Sequence, residues 1–261
     1  MSTENYTITT QALHIGYHSK GTTNSIASNL NLHLASGQLI SLVGANGVGK
    51  STLLRTLTGI QKPLQGVVFL NDKNIHDIPT TELAQELSLV LTEKLPPNNL
   101  TVYELIALGR QPYTNWLGQL SETDHEKIKQ AIALTQIEPL LNKKHHEISD
   151  GQLQIVLIAR ALAQDTPIII LDEPTTHLDL VHKVSVFKLL KKLSVTTNKS
   201  ILFSTHDVDL AIQLSDEMIV MTENQVYQDQ PCNLITQGVF NLLFKDDSIS
   251  FDGEKGKFII T

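Results

Sequence analysis

Gly44-Ala45-Asn46-Gly47-Val48-Gly49-Lys50-Ser51-Thr52 fits the pattern G-x-x-x-x-G-K-[ST]. Gly44, Gly47 and Gly49 can take positive φ and let the backbone close around an anion such as a nucleotide phosphate. A helix beginning near Lys50 adds the positive end of its dipole to that anion site. Lys50 is placed to reach phosphate oxygens, and the Ser51 hydroxyl to ligate Mg²⁺. The pattern carries weight only between a strand and a helix, and the flanks supply both. Residues 38–43 read as a buried strand, and residues 52–58 as a helix stopped by Gly59.

Outward from this loop, residues 7–15 and 30–34 alternate as strands. Between them Gly16, Lys20, Gly21 and several Ser, Thr and Asn residues mark a turn-rich connection. Residues 67–70 form a strand ended by Asn71-Asp72, residues 80–86 a short helix and residues 87–91 another buried strand. Strand signal then gives way to helical periodicity. Thr101-Val102-Tyr103-Glu104 is spaced as a capping box. Ser121 opens a second helix carrying Ile128, Ile132, Leu134 and Ile137 on one face, and residues 149–163 make a third. After residue 166 strands (167–171, 200–204, 218–221) alternate with helices (180–193, 208–214), which predicts a largely parallel sheet. Residues 251–258 read as a hairpin. The fold class is α/β with a helical insertion.

The chain has 261 residues, 41% of them hydrophobic, enough core for one large domain or two small ones. Its net charge of −7 argues against a general nucleic-acid binder, which needs a basic face. The polar, acidic first residues are not those of a secretory signal. No apolar run is longer than residues 155–159, whereas a membrane-spanning helix needs about 20 residues. Cys232 is the only cysteine, so no intrachain disulfide can form, and a reducing cytoplasm fits.

Four apolar residues, Ile168 to Leu171, run into Asp172-Glu173. A carboxylate leaving a buried strand emerges at the sheet's C-terminal edge, where ligands bind. Asp172 is there a Mg²⁺ ligand, and Glu173 beside it can polarise an attacking water. A solvated turn is the plainer reading of these acids; the phosphate loop favours the chemical one. His206, in Ser204-Thr205-His206-Asp207, follows another strand and can hydrogen-bond a γ-phosphate, or else fill surface or core. The remaining histidines lack metal-ligand spacing such as H-E-x-x-H.

Together these residues resemble the ATP-binding subunit of ABC transporters, along essentially the whole chain. Ile148-Ser149-Asp150-Gly151-Gln152 is similar to that family's L-S-G-G-Q signature, Leu178-Asp179 to its D-loop, and His206 to its switch histidine. Tyr17 stands where the family has an aromatic that stacks on adenine. The resemblance implies a P-loop NTPase with a RecA-like core and an N-terminal antiparallel β subdomain (1–92 and 164–261), plus an inserted helical subdomain (93–163). It implies ATP and Mg²⁺ as cofactors and catalytic roles for Glu173, His206 and Lys50. Nucleotide contacts fall to Tyr17, Gly44, Asn46, Gly47, Gly49, Lys50, Ser51 and Thr52, and, from a second copy, to Ser149, Gly151, Gln152 and Asp179. Metal contacts fall to Ser51, Asp172 and Thr92.

The implied partners are a second copy arranged head to tail, a transmembrane permease and, indirectly, an extracytoplasmic substrate-binding protein, with no nucleic acid. The implied location is peripheral, on the cytoplasmic face of the inner membrane. Two positions depart from the family pattern. Thr92-Glu93 stands where the family has a glutamine, and Asp150 replaces the first signature glycine. Residues 109–118, with Tyr113 and Trp116, resemble the importers of ferric siderophores, haem and cobalamin. Those two aromatics either anchor the permease or pack inside the helical subdomain. The alternatives are an importer or exporter ATPase for another substrate, a weakly hydrolysing regulatory subunit, and a soluble ABC ATPase of DNA repair or translation.

Overall fold

The computed structural model describes residues 6–19, 22–91, 99–243 and 248–260. Strand β1 (Tyr6–Ser19) turns back as β2 (Thr22–Leu30), and β3 (His33–Ala35) returns along the first residues of β1. Next come β4 (Leu39–Gly44), helix α1 (Lys50–Leu57), β5 (Gln65–Leu70) and the short β6 (Lys73–Asn74). β5 takes the other edge of β1, giving an antiparallel sheet in the order β2-β1-β5-β6 with β3 also on β1.

Most of the expected turn-rich connection is therefore strand. Its hairpin register runs from Gly16 opposite Ser25 to Ser19 opposite Thr22. The reason is exposure: β2 faces solvent along most of its length, so no apolar alternation marks it. Residues 30–34 are correspondingly not one strand. Leu30 ends β2, Asn29 turns the chain at φ 55, and the Leu32 N–H donates to the Thr10 hydroxyl at 2.8 Å before β3 begins.

α2 (Thr80–Glu86) and β7 (Leu87–Val90) precede three helices, α3 (Val102–Ala107), α4 (Glu122–Thr135) and α5 (Asp150–Ala163). Each of the three opens on a reciprocal capping box, from Thr101 and Glu104, Ser121 and Asp124, and Ser149 and Gln152. Such boxes satisfy two otherwise orphaned N–H groups and fix where each helix starts. Between α3 and α4, Arg110 is buried at 4% exposure and meets Asp124, at 3%, through Nε and Oδ1 at 2.7 Å.

The chain continues through β8 (Ile168–Leu171), α6 (Leu180–Thr197), β9 (Ser200–Thr205), α7 (Val208–Leu214), β10 (Glu217–Met221), β11 (Val226–Asp229) and α8 (Pro231–Thr236). β12 (Ile249–Asp252) and β13 (Lys257–Ile260) form the expected C-terminal hairpin. The larger sheet has the order β11-β10-β4-β9-β8-β7, parallel from β10 to β7, with β11 antiparallel at its edge. Alternation along the strands divides its side chains between two cores. Val43, Ile169, Leu171, Ile201 and Phe203 pack with α5 and α6, and Phe187 meets Phe203 edge to face at 4.9 Å. Ile40, Leu42, Ile168, Ile170 and Leu202 pack with Leu53, Leu54 and Leu57 of α1 and with the antiparallel sheet. Among the described residues no helix is long and apolar enough to cross a membrane.

Candidate nucleotide site

Three neighbouring strands of the parallel sheet end side by side, with Val43 opposite Thr205 and Leu171 opposite Phe203. Adjacent strands lie about 4.8 Å apart, so the segments leaving β4, β9 and β8 converge at one sheet edge. They are the glycine loop, the His206 segment and the Asp172-Glu173 pair. Strand order, not sequence proximity, assembles the site.

Gly47 and Gly49 have φ of 76° and 111°. Gly49 is doubly constrained, since a Cβ there would lie 2.2 Å from Cγ2 of Ile26. Gly49 is also the N-cap of α1, and it supplies no side-chain cap, which leaves the first N–H groups of the helix for an anion. Asn46 is exposed on the loop, while Ser51 and Thr52 are half-buried in the first helical turn. Lys50 is buried at 5% exposure, and its Nζ donates to the Gly44 and Ala45 carbonyls at 3.0 and 3.3 Å. Burial holds its ammonium below the usual lysine range, with the charges of Glu173 and Asp172 acting the other way. Both neighbours and burial shape a cation poised to exchange carbonyls for phosphate oxygens.

On β8, Asp172 continues the face of Ile168 and Ile170, the side that α1 covers. The Ser204 hydroxyl donates to Asp172 Oδ1 at 2.7 Å and accepts the Glu173 N–H at 2.8 Å. Glu173 has φ 47°, a left-handed conformation rare for a side-chain-bearing residue. Its carboxylate accepts from the Thr176 hydroxyl at 3.0 Å and lies 2.6 Å from His206 Nε2. Nδ1 of the same ring is 3.5 Å from Lys50 Nζ. With its proton on Nε2, His206 donates to Glu173 and accepts from Lys50, so one imidazole joins the acid and the phosphate-loop cation. Lys50, Asp172, Glu173 and His206 are thus brought into one hydrogen-bonded group.

The signature and D-loop residues form a second group, at the N-termini of α5 and α6. Ser149 Oγ accepts the Gln152 N–H at 3.2 Å, and Gln152 Oε1 accepts the Ser149 N–H at 3.1 Å. Asp150 is exposed at the first helical position, where a negative charge suits the helix dipole. Gly151 is buried under His182, whose Cδ2 would be 2.8 Å from an added Cβ. Asp179 caps α6 and accepts from the His182 N–H (2.9 Å) and Nδ1 (2.7 Å), bonds that hold its carboxyl below the usual range. Tyr17 stands apart on the β1–β2 hairpin, 51% exposed. Thr92, the remaining expected metal ligand, and Glu93 lie outside the described residues.

Sequence reasoning missed Ser204 and His182. Ser204 carried a signal, since a hydroxyl that continues the buried face of a central strand needs a partner there. His182 carried none, because its partner Gly151 is on another helix.

The positive-φ glycines, the uncapped helix start and Lys50 fit a polyphosphate, and the Asp172 carboxylate with the Ser51 hydroxyl fits a hard cation such as Mg²⁺. A glycine anion loop, a strand-end acid pair and a histidine on three adjacent strands define a phosphate-loop nucleoside triphosphatase. Residues 27–176 match the ABC transporter family. The achromobactin transport ATP-binding protein of Dickeya dadantii is 38% identical over 92% of this chain and 88% of its own length. A solved chain of an ABC transporter in an inward-facing conformation superposes with a TM-score of 0.80 at 25% identity, over 98% of this chain and 96% of that one. A dimeric ATP-binding cassette in a post-hydrolysis state with ADP and Pi superposes with a TM-score of 0.73 at 27% identity, over 86% and 98%. This chain belongs to the ABC transporter family, as an ATP-binding subunit with ATPase activity.

Proposed function

We propose that this chain drives an importer for a ferric siderophore, haem or cobalamin, hydrolysing ATP against a membrane permease. The observation that carries the hydrolytic part is the Lys50–His206–Glu173 chain of contacts, anchored through Ser204 to Asp172. The glycine loop and the first turn of α1, with Ser51 and Thr52, hold the phosphates, and Tyr17 stacks on the base. Asp172 and Ser51 would hold Mg²⁺, which neutralises charge on the phosphate oxygens. Glu173 takes the proton of the attacking water, and His206 orients Glu173 by donating its single N–H, on Nε2, to the carboxylate. Residues 93–163 act as a helical subdomain that brings Ser149, Gly151 and Gln152 to the nucleotide of a second copy, head to tail, and Asp179, at the start of α6 in the core, meets that same nucleotide. Closure on ATP and release after hydrolysis then work as a cycle.

Lys50→Met tests the phosphate contacts. Loss of a charge-assisted bond worth about 1.5–3 kcal/mol should weaken nucleotide binding roughly 10- to 100-fold, read by fluorescent-nucleotide titration. Unchanged affinity would remove Lys50 from the site.

The permease side is supported by Trp116, 91% exposed beside Leu117 at 58%. The two expected anchors separate here. Tyr113 is stacked under the Arg110 guanidinium, 3.8 Å from its ring centroid, while Trp116 stands free of the core. Nearby, Ala84, Leu108, Pro112 and Arg160 line a groove of about 480 Å³. Trp116→Ala should reduce copurification of the permease by about tenfold or more, as loss of an interface hot spot does, with ATP binding by the isolated chain unaffected. Retention of the full complex would move the interface elsewhere. The net charge of −7 supports a partner other than nucleic acid. The cargo is tested by reconstituting the chain with its permease and binding protein at the cytoplasmic face, and assaying ATP-dependent uptake of the three cargoes. Transport of none of them would overturn this reading.

A further inference from the structure

Ser204 is fully buried, at 0% exposure, in the middle of the parallel sheet, opposite Leu42 on one side and following Phe203, the partner of Leu171, on the other. A serine hydroxyl has one proton and two lone pairs. The Glu173 backbone N–H can only donate, so the 2.8 Å contact consumes a lone pair of Ser204. The hydroxyl proton is then committed to Asp172 Oδ1 at 2.7 Å, a charge-assisted bond. One buried hydroxyl therefore ties the acid proposed to hold the metal to the main chain of the acid proposed to act as base.

The second bond falls on a strained residue. Glu173 has φ 47° and precedes a proline, which further narrows its allowed backbone conformations. Such a conformation persists only where its surroundings over-determine it. With the main chain held this way the carboxylate meets Thr176 and His206.

We infer that Ser204 is a positioning residue for hydrolysis, holding the Asp172 carboxylate and the left-handed Glu173 main chain in register across β8 and β9. This rests on the roles proposed above for Asp172 and Glu173. The hydroxyl touches neither nucleotide nor metal itself; it acts through the two acids.

The test compares the full-length Ser204→Ala and Ser204→Thr variants with the parent, and with Glu173→Gln as a reference. In Ser204→Ala, ATP turnover should fall and the Mg²⁺ concentration for half-maximal turnover should rise, each by about 10- to 100-fold, as when a residue orienting a metal ligand is removed. A readout independent of turnover is binding of a fluorescent ATP analogue with and without Mg²⁺. Affinity in EDTA should stay within about threefold of the parent, while the gain on adding Mg²⁺ shrinks. Ser204→Thr keeps the hydroxyl and should recover most of the turnover. Should Ser204→Ala fail to fold, Ser204→Cys, with its weak S–H donor, takes its place against Ser204→Thr. Turnover and Mg²⁺ dependence close to the parent's in the hydroxyl-free variant overturn the inference, and so does a threonine variant as impaired as the alanine one. If Glu173→Gln itself leaves turnover intact, the assignment of the base fails instead, which separates the two readings.

Discussion

Glu173→Gln should lower ATP turnover by roughly 10²- to 10⁴-fold, the usual contribution of a general base. Nucleotide binding should survive the change. Glutamine keeps the length and shape of the side chain and can still accept from the Thr176 hydroxyl, which now sits 3.0 Å from the carboxylate. It cannot take a proton from water. The elements proposed to hold the phosphates, the glycine loop and Lys50, are on β4 and α1 rather than β8, and the Gly44 and Ala45 carbonyls still hold the Lys50 ammonium when this charge is removed. If two copies close on ATP and hydrolysis releases them, the variant should accumulate as an ATP-dependent dimer on size-exclusion chromatography. The parent should pass through that state only briefly. Turnover near that of the parent would exclude Glu173 as base. Lost turnover with no ATP-dependent dimer would leave the base in place and remove the head-to-tail closure.

The second large effect lies away from the nucleotide. Asp124→Ala should destabilise the protein by about 3–5 kcal/mol, because it strands a buried guanidinium. Both partners are almost wholly buried, and Arg110 also donates from one terminal nitrogen to the Ala163 and Gln164 carbonyls, at 2.8 and 3.3 Å. The pair thus locks the segment carrying Trp116 to the C-terminal end of α5, whose N-terminal end carries Ser149. For Asp124, burial by itself raises the carboxyl. Bonds from the Ser121 hydroxyl and N–H and from Arg110 outweigh it and hold Asp124 below the ordinary aspartate range.

The sign for pH follows. A carboxyl depressed in the folded state stabilises above its unfolded value, near 3.9, and that contribution is lost as pH falls through the folded value. Thermal unfolding followed by circular dichroism should show Asp124→Ala melting roughly 10 °C below the parent near neutrality, at about 2–4 °C per kcal/mol. The gap should narrow on acidification below that value. The double replacement Arg110→Met with Asp124→Leu should cost less than Asp124→Ala alone, since no charge is left unpaired. A melting point unchanged by Asp124→Ala would show that Arg110 is satisfied by its carbonyl contacts.

Much of this was legible in the chain because it is local. Helix starts at Thr101, Ser121 and Ser149 are written in side chains three residues apart, and all three capping boxes form. The strands of the parallel sheet announced themselves as apolar runs because both faces are covered. The same rule read backwards explains the miss over residues 22–29, where an exposed strand of Ser, Thr and Asn has the composition of a loop. Tyr113 and Trp116 could not be told apart from their sequence. Only the tertiary structure shows the Tyr113 ring stacked on the Arg110 guanidinium at 36% exposure and Trp116 at 91%.

The glycine loop at Gly44–Lys50, the acids at Asp172-Glu173 and the helix starts were determined by the sequence itself, since φ preference, alternation and capping act within a few residues. The order β4-β9-β8 was decided only by tertiary structure, because strand pairing is set by burying two apolar faces rather than by any local signal. That order places Lys50, Glu173 and His206 on one hydrogen-bonded path and makes the buried Ser204 hydroxyl the joint between the two acids.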